Sequence, residues 1–415
     1  LTLGLARAFA RRGLRVTPAK SGPDYIDPTY HAAAAGRSGA NLDVWAMREA
    51  TLRSLAGGLA NGCDLVLCEG AMGLFDGVDA RGAGSTADLA AATGWPVVLV
   101  VDARGLAASA GPLVAGFARA RADAKIAGAI FNRCGGPSHA ALLREALALH
   151  CPEVAFLGAV PRDARLSLPE RHLGLVPAGE IAGLETTIGL AADACAAGLD
   201  LDAILALARH GPAAVATATP LAPLGRRIAV ARDAAFVFAY PATLAGWRAQ
   251  GAGVSFFSPL ADEAPDPSSD AVFLPGGYPE LHAGRLAAAD RFLSALRAFP
   301  GAVYGECGGY MVLGRGLTDA DGRRHTMAGL LPLETSFATR RLHLGYRDVR
   351  LAADCALGPR GAAFRGHEFH YTTIVAEPPD APLFDVRDAR ANALGPMGSI
   401  AGRVAGSFVH LVDRA

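Results

Sequence analysis

The sequence predicts an α/β protein of two domains, and three observations carry that expectation. Short apolar runs alternate with Ala-rich helical stretches through the first half, a Gly- and Pro-punctuated stretch covers Gly211–Gly225, and strand-length apolar runs resume at Arg226. At 415 residues the chain is long for one ordinary core and sufficient for two.

In the first half the expected strands are Leu14–Pro18, Asp64–Cys68, Pro96–Val101, Ile126–Phe131 and Val154–Val160. Their alternation with helical stretches is the pattern of a parallel, doubly wound sheet. Leu199–His210 reads as a short amphipathic helix near the junction. The expected division is residues 1–195 for the first domain, 196–225 for a linker and 226–415 for the second domain. There, a strand at Arg226, a helix around Pro241–Gln250 and strands at Gly253–Phe257 and Ala271–Leu274 repeat the α/β alternation.

Lys and Arg total 39 and Asp and Glu total 39, so no global field gathers nucleic acid or an anionic membrane, and neither is expected as a partner. An anionic substrate must be met by local charge. Runs such as Trp95–Val101 are strand-length, well short of the roughly 20 residues that span a bilayer. The seven cysteines are odd in number and form no CxxC pair, which fits a reducing, cytoplasmic setting. The sequence opens at Leu1 without a charged-then-apolar leader, so no signal peptide is expected.

The segment AVYGECGGYM, residues 302–311, reads as strand, tight Gly-bounded turn and helix start around Cys307. This is the cysteine form of a nucleophile elbow: Gly305 and Gly308 permit a strained turn, and the helix N-terminus is expected to lower the thiol pKa. FLPGGYPE, residues 273–280, ends a strand in a Gly-Gly turn, which makes Gly276 and Gly277 candidates to donate N–H groups to an oxyanion. GSFVHL, residues 406–411, is expected to place His410 at the end of an apolar strand, distant in sequence from Cys307, where it would accept the thiol proton. A lone Cys or His in an apolar run is more often core than catalyst; three matching pieces in one order reverse those odds.

Together these pieces resemble a class I glutamine amidotransferase domain over residues 226–415. The resemblance implies glutamine as a nitrogen donor. One departure stands out. That class carries His-x-Glu, whereas Leu411 and Val412 follow His410, so the residue that orients the imidazole is not named by the motif.

In the first half, CEGAMGLFDG at 68–77 follows an apolar strand and delivers Glu69 to the carboxyl edge of the sheet, where open α/β sheets bind ligands. A carboxylate there would hold Mg2+ on nucleotide phosphates. KSGPDYIDPTYH at 20–31 gathers charge in a loop stiffened by two prolines. Lys20 could face phosphate, while Asp24 and Asp27 could hold Mg2+ or position substrate. For any single charge the bland alternative is a solvated turn.

These blocks resemble the cobyrinic acid and hydrogenobyrinic acid a,c-diamide synthase family. The match extends through NLD (41–43), GSTADLA (84–90), FNR (131–133), GAVPRD (158–163) and RRIAVARDAAFVFAYP (226–241), and through LPGGYPELHA, YGECGGYMVLG, LHLGYRDV and GHEFHYT. It runs essentially from Leu1 to Asp413. The resemblance implies a P-loop-type, dethiobiotin synthetase-like doubly wound domain followed by a class I glutamine amidotransferase-like α/β domain. It further implies ATP and Mg2+, with Glu69 on the metal and Asp24, Asp27 or Asp43 near it. Asn132 and the loop at Pro161 would touch the nucleotide base.

The implied partners are glutamine and a corrinoid tetrapyrrole polycarboxylate, whose a and c acetate side chains are amidated through acyl phosphates in cobalamin biosynthesis. A Gly-rich loop ending Gly-Lys-Thr belongs to the family pattern and is expected just ahead of Leu1. Three rings stay open, namely metal-free hydrogenobyrinic acid, cobyrinic acid and a nickel sirohydrochlorin, and the Ala- and Arg-rich composition leans to the first. A cobyric acid synthase and a non-catalytic ligand-binding relative are the alternatives. A homodimer is expected without a sequence feature that fixes it. HEFH at 367–370 suggests metal ligands, but the odd separation of its histidines puts them on opposite faces of a strand, which favours substrate contact.

Overall fold

The computed structural model describes residues 1–171, 174–212, 218–377 and 381–415, so residues 213–217 of the expected linker lie outside the described residues. The chain divides into two compact units. One comprises Leu1–Trp45 and Leu52–Ala216, the other Ala46–Thr51 and Thr217–Ala415.

In the first unit, β1 (Val16–Ser21), β2 (Ala40–Leu42) and β3 (Leu65–Glu69) form a parallel sheet in the order β2-β1-β3. A second parallel sheet has the order β4-β5-β6, built from β4 (Val97–Asp102), β5 (Ile126–Cys134) and β6 (Ala155–Pro161). The expected strands are all present, but in two sheets. The connection from β3 to β4 supplies a Gly-rich loop and a helix, and β3 and β4 do not pair with each other.

Ahead of and between these strands run α1 (Thr2–Arg11), α2 (Asp27–Ala35), α3 (Glu49–Leu59), α4 (Thr86–Thr93), α5 (Ala110–Ala120) and α6 (Pro137–His150). The short pair β7 (Glu170–Arg171) and β8 (Gly174–Leu175) precedes α7 (Leu184–Gly198) and α8 (Leu201–Leu207). Local signals set the ends: Ser85 Oγ accepts the Asp88 N–H to start α4, and Gly94 in the left-handed region stops it. Val101, Phe131, Leu143 and Leu147 anchor the core beneath β4–β6.

The second unit is built on β9 (Arg227–Ala231), β10 (Gly253–Phe257), β11 (Ala271–Leu274) and β12 (Ala302–Glu306), with α9 (Pro241–Ala249), α10 (Ala283–Ala287), α11 (Asp290–Ala298) and α12 (Gly308–Leu313). The chain continues through β13 (Gly316–Thr318), β14 (Arg324–Thr326), β15 (Glu334–Ser336), β16 (His343–Leu351), β17 (Ala363–His370) and β18 (Thr373–Ala376). It ends with β19 (Phe384–Asp388), β20 (Ala393–Met397), β21 (Ser399–Ala401), β22 (Val404–Ser407) and β23 (Val409–Arg414).

The main sheet has the order β10-β9-β11-β12-β22-β21, parallel except for β21. An antiparallel sheet β20-β19-β16-β17-β23 and a smaller one, β14-β13-β15-β18, complete the unit. Alternation along the strands divides two cores, since Val272 and Val303 join one cluster with Phe292 and Met311, while Phe273 and Tyr304 join another with Ile228 and Trp247. The short stretch Ala46–Thr51 belongs here: Arg48 donates to buried Asp413 through its backbone N–H (2.9 Å) and guanidinium (2.7 Å), and to the Thr219 carbonyl. Among the described residues no helix is long and apolar enough to cross a membrane.

Candidate active site

In the second unit, β12 ends at Glu306 and α12 starts at Gly308, so the turn falls on Cys307 alone. Its φ of +47° and ψ of −105° lie where L-residues rarely go, as a strained nucleophile elbow requires. The turn packs tightly against the sheet: a Cβ on Gly309 would lie 1.9 Å from the Leu274 carbonyl oxygen. The Cys307 N–H donates to the Ser407 carbonyl at 2.8 Å, which ties the elbow to the end of β22.

His410 is the second residue of β23, at the start of that strand and not at the end of an apolar one as the sequence suggests, because β22 stops at Ser407 and the chain passes into another sheet. Its register partner on β17 is His367, with the rings 4.9 Å apart and 11° from parallel. Gly276 is where Cys307 and His410 meet. A Cβ there would sit 2.4 Å from His410 Cε1 and 3.2 Å from Cys307 Cβ. Gly277 follows, and its nitrogen lies 3.0 Å from where a Cβ on Gly308 would be. The Gly308 N–H also reaches the Cys307 thiol. Gly308 is a further candidate oxyanion donor that sequence reasoning passed over, since it occupies the position after the cysteine that the elbow motif reserves for one.

The expected lowering of the thiol pKa does not hold. Burial and then the Glu280 carboxylate push Cys307 well up; the Gly308 N–H opposes this, and Glu306 and Glu368 add smaller contributions. His410 moves the other way: burial, then His367 and His370, hold it far below an ordinary histidine, so the imidazole is neutral.

HEFH lies on β17 beside the site, and the Phe369 carbonyl is 4.0 Å from Cys307 Sγ. His367 faces His410, while Glu368 and His370 form a separate cluster. Arg347 reaches Glu368 Oε2 at 2.6 Å and His370 Nε2 meets Oε1 at 2.8 Å. His343 stacks on His370 at 4.6 Å, and these three residues are the one group among the described residues with metal-ligand spacing. The guanidinium on Glu368 already balances its charge, which disfavours a cation there.

In the first unit the register pairs Lys20 with Glu69 at the carboxyl edge of β1 and β3, so Lys20 is a strand residue and not part of the following loop. Its ammonium lies 2.6 Å from Asp27 Oδ2 and 3.4 Å from Glu69 Oε2. His31 Nε2 meets Glu69 Oε2 at 2.5 Å, and the Thr2 hydroxyl donates to Oε1 at 3.0 Å. Burial alone would raise the Glu69 pKa, but the His31 hydrogen bond, the Lys20 and His31 charges and the Thr2 hydroxyl bring it down to about 2. His31 ends the charged segment at 20–31 without a role read from it, and Thr2 carries no motif that would single it out.

Asp24 Oδ1 accepts the N–H groups of Ile26 and Asp27, and Asp43 Oδ1 accepts that of Trp45, so both carboxylates also shape their turns. The four acids Glu69, Asp24, Asp27 and Asp43 are not gathered into a closed ligand cluster. Asn132 and Pro161 lie at the carboxyl ends of adjacent strands, where Asn132 pairs with Val160 and Cys134 with Pro161.

A cysteine elbow meeting a neutral histidine is an arrangement suited to attack by sulfur, and it lies on a chain that also carries an α/β unit with a charged strand edge. The CobB/CobQ-like glutamine amidotransferase domain family matches residues 227–414, and the CobQ/CobB/MinD/ParA nucleotide binding domain family matches residues 1–176. The chain is 56% identical to the hydrogenobyrinate a,c-diamide synthase of Rhodobacter capsulatus, over 99% of this chain and 95% of that one. It is 54% identical to the enzyme of the same name from Rhizobium meliloti, over 100% and 95% of the two chains. The chain belongs to the hydrogenobyrinate a,c-diamide synthase family.

Proposed function

We propose that this chain converts hydrogenobyrinate to its a,c-diamide, drawing ammonia from glutamine at Cys307 and activating each acetate with ATP. The meeting of Cys307 and His410 over Gly276 carries the glutaminase half of the reading. Neutral His410 takes the Cys307 Sγ proton as sulfur attacks the amide carbon of glutamine, and the N–H groups of Gly276, Gly277 and Gly308 are the candidates to receive the oxyanion. The C–N bond then breaks, His410 returns the proton to the departing ammonia, and water cleaves the thioester to glutamate and free thiol.

A carboxylate is a poor acyl donor, because it has no good leaving group. Transfer of the ATP γ-phosphoryl group yields an acyl phosphate and ADP, and ammonia displaces phosphate to leave the amide. Lys20, at a parallel-sheet edge that favours ligands, would meet phosphate once it exchanges its carboxylate partners for it. Mg2+ would neutralise phosphate charge, and the hard oxygens of Glu69 and Asp27, with Asp24 or Asp43 nearby in sequence, suit it. Glu69, ionised at neutral pH, is the first candidate ligand. Asn132 and Pro161 would border the nucleotide base. We place the reaction in the cytoplasm, which the seven free cysteines support, and expect a homodimer, which light scattering would test.

The test is Cys307→Ser assayed with both nitrogen donors. Glutamine-dependent diamide formation should vanish while ammonium-dependent formation persists. Equal loss with both donors would show that one site performs both steps. Parallel assays with hydrogenobyrinate, cobyrinate and nickel sirohydrochlorin fix the ring.

A further inference from the structure

The motif leaves His410 without its usual acid, and the fold offers one from a different direction. Glu306, the last residue of β12 and the one before the nucleophile, is buried with Oε2 3.9 Å from His410 Nδ1. Its other oxygen is taken. Oε1 accepts the Tyr304 hydroxyl at 3.1 Å and the Leu411 N–H at 3.2 Å, so the carboxylate is pinned to the residue that follows His410 with Oε2 turned toward the ring. The competing acid is committed elsewhere, since Glu368 is held by Arg347 and His370.

We infer that Glu306 is the positioning residue of the glutaminase site: its ionised carboxylate accepts the Nδ1–H of His410, which fixes the tautomer that leaves Nε2 to take the Cys307 proton. This rests on the glutaminase reading above. The proton moves from Cys307 Sγ to His410 Nε2, and Glu306 holds its hydrogen bond throughout without becoming protonated. The gap must close by about 1 Å to reach hydrogen-bond range, a tightening common when substrate enters. A cavity of about 20 Å3 beside Glu306, lined also by Tyr240, Tyr304 and Leu411, gives the carboxylate room to shift or to keep one water.

The groups facing Glu306 are Tyr304 on its own strand, His410 on β23, Tyr240 at the start of α9 and Cys307. Those facing His410 are Cys307, Glu306 and His367, with His370 beyond. Burial raises the Glu306 carboxyl to about 8, against the Leu411 N–H and Tyr304 hydroxyl that lower it, so the ionised form accumulates as pH rises through that value.

The experiment is glutamine hydrolysis by the whole chain from pH 6 to 10, in the wild type, Glu306→Gln and Glu306→Asp, beside Cys307→Ser. Wild-type kcat should climb through a limb near pH 8. Glu306→Gln should lack that limb and lose roughly 10- to 100-fold in kcat on the alkaline plateau, with KM for glutamine within about twofold, and Glu306→Asp should recover part of the loss. Histidine 15N NMR of the wild type, assigned by His410→Asn, should show His410 as the Nδ1–H tautomer above pH 8 and does not depend on a Glu306 variant folding. An unchanged profile in Glu306→Gln, or an Nε2–H tautomer in the wild type, overturns the role of Glu306 alone. A wild type that hydrolyses no glutamine, or hydrolyses it as well as Cys307→Ser does, overturns the glutaminase reading instead.

Discussion

His367 and His410 face each other across neighbouring antiparallel strands, rings 4.9 Å apart and nearly parallel. Burial and then the Arg347 charge press the His367 pKa down to about 3, and its Nε2 is 2.9 Å from the Tyr240 hydroxyl. His367 is therefore a neutral plate that braces the base without competing for its proton. His410→Asn should lower glutamine turnover roughly 100-fold or more, as loss of a general base does. His367→Phe, which keeps a ring in the stack, should cost far less than His367→Ala. Equal turnover in His367→Ala and wild type would remove His367 from the site.

Gly276→Ala tests the meeting point itself. The added methyl would lie 2.4 Å from His410 Cε1, too close for either to stay in place. Because a misplacement of about 1 Å can cost 10²-fold, glutaminase turnover should fall by roughly that factor. Ammonium-dependent amidation should persist. Retained glutaminase activity would show that the imidazole can be held elsewhere.

Glu368 predicts an acid-labile second unit. Burial would raise its pKa, but the hydrogen bond and charge of His370 and the guanidinium of Arg347 bring it to about 2, below its ordinary 4.5. The folded value lies below the unfolded one, so the stability is present above about pH 4.5 and drains away as pH falls toward 2. Glu368→Gln should flatten that acid slope in urea unfolding, and at pH 7 should cost about 3–5 kcal/mol by stranding buried Arg347. An unchanged slope would mean that other carboxylates govern acid unfolding.

Glu69→Gln separates the two halves of the reaction. With its ligand charge gone, amide formation should drop by roughly 100-fold or more with glutamine and with ammonium alike. Glutamine hydrolysis at Cys307 should stay near normal. Loss with glutamine alone would place Glu69 in the wrong half-reaction.

Much of this was legible in the sequence because it is local. Gly253–Phe257 and Ala271–Leu274 are strands with the bounds their apolar runs suggest, and the elbow announces itself through Gly305, Cys307 and Gly308. What escaped is what pairing and burial decide. Glu306 sits inside the same motif, yet only the arrival of β23 beside it reveals a neighbour for His410. His31 becomes a partner of Glu69 by folding from 38 residues away. The Cys307 pKa went the other way from its helix-terminus signal because a one-turn polar effect does not offset full burial with carboxylates nearby. The start of β23 at Val409 depends on a change of sheet that no apolar run encodes.

The positive φ of Cys307 has a further meaning for the robustness of the second unit. A non-glycine residue in so rare a conformation costs of order 1–3 kcal/mol, set aside when the chain folds and before glutamine arrives. Glycine would release that tension, so Cys307→Gly should melt at a higher temperature than wild type while being inert. The fold thus stands some distance from its own thermal optimum at the one backbone position where chemistry begins, and a sequence tuned for endurance alone would carry no side chain there.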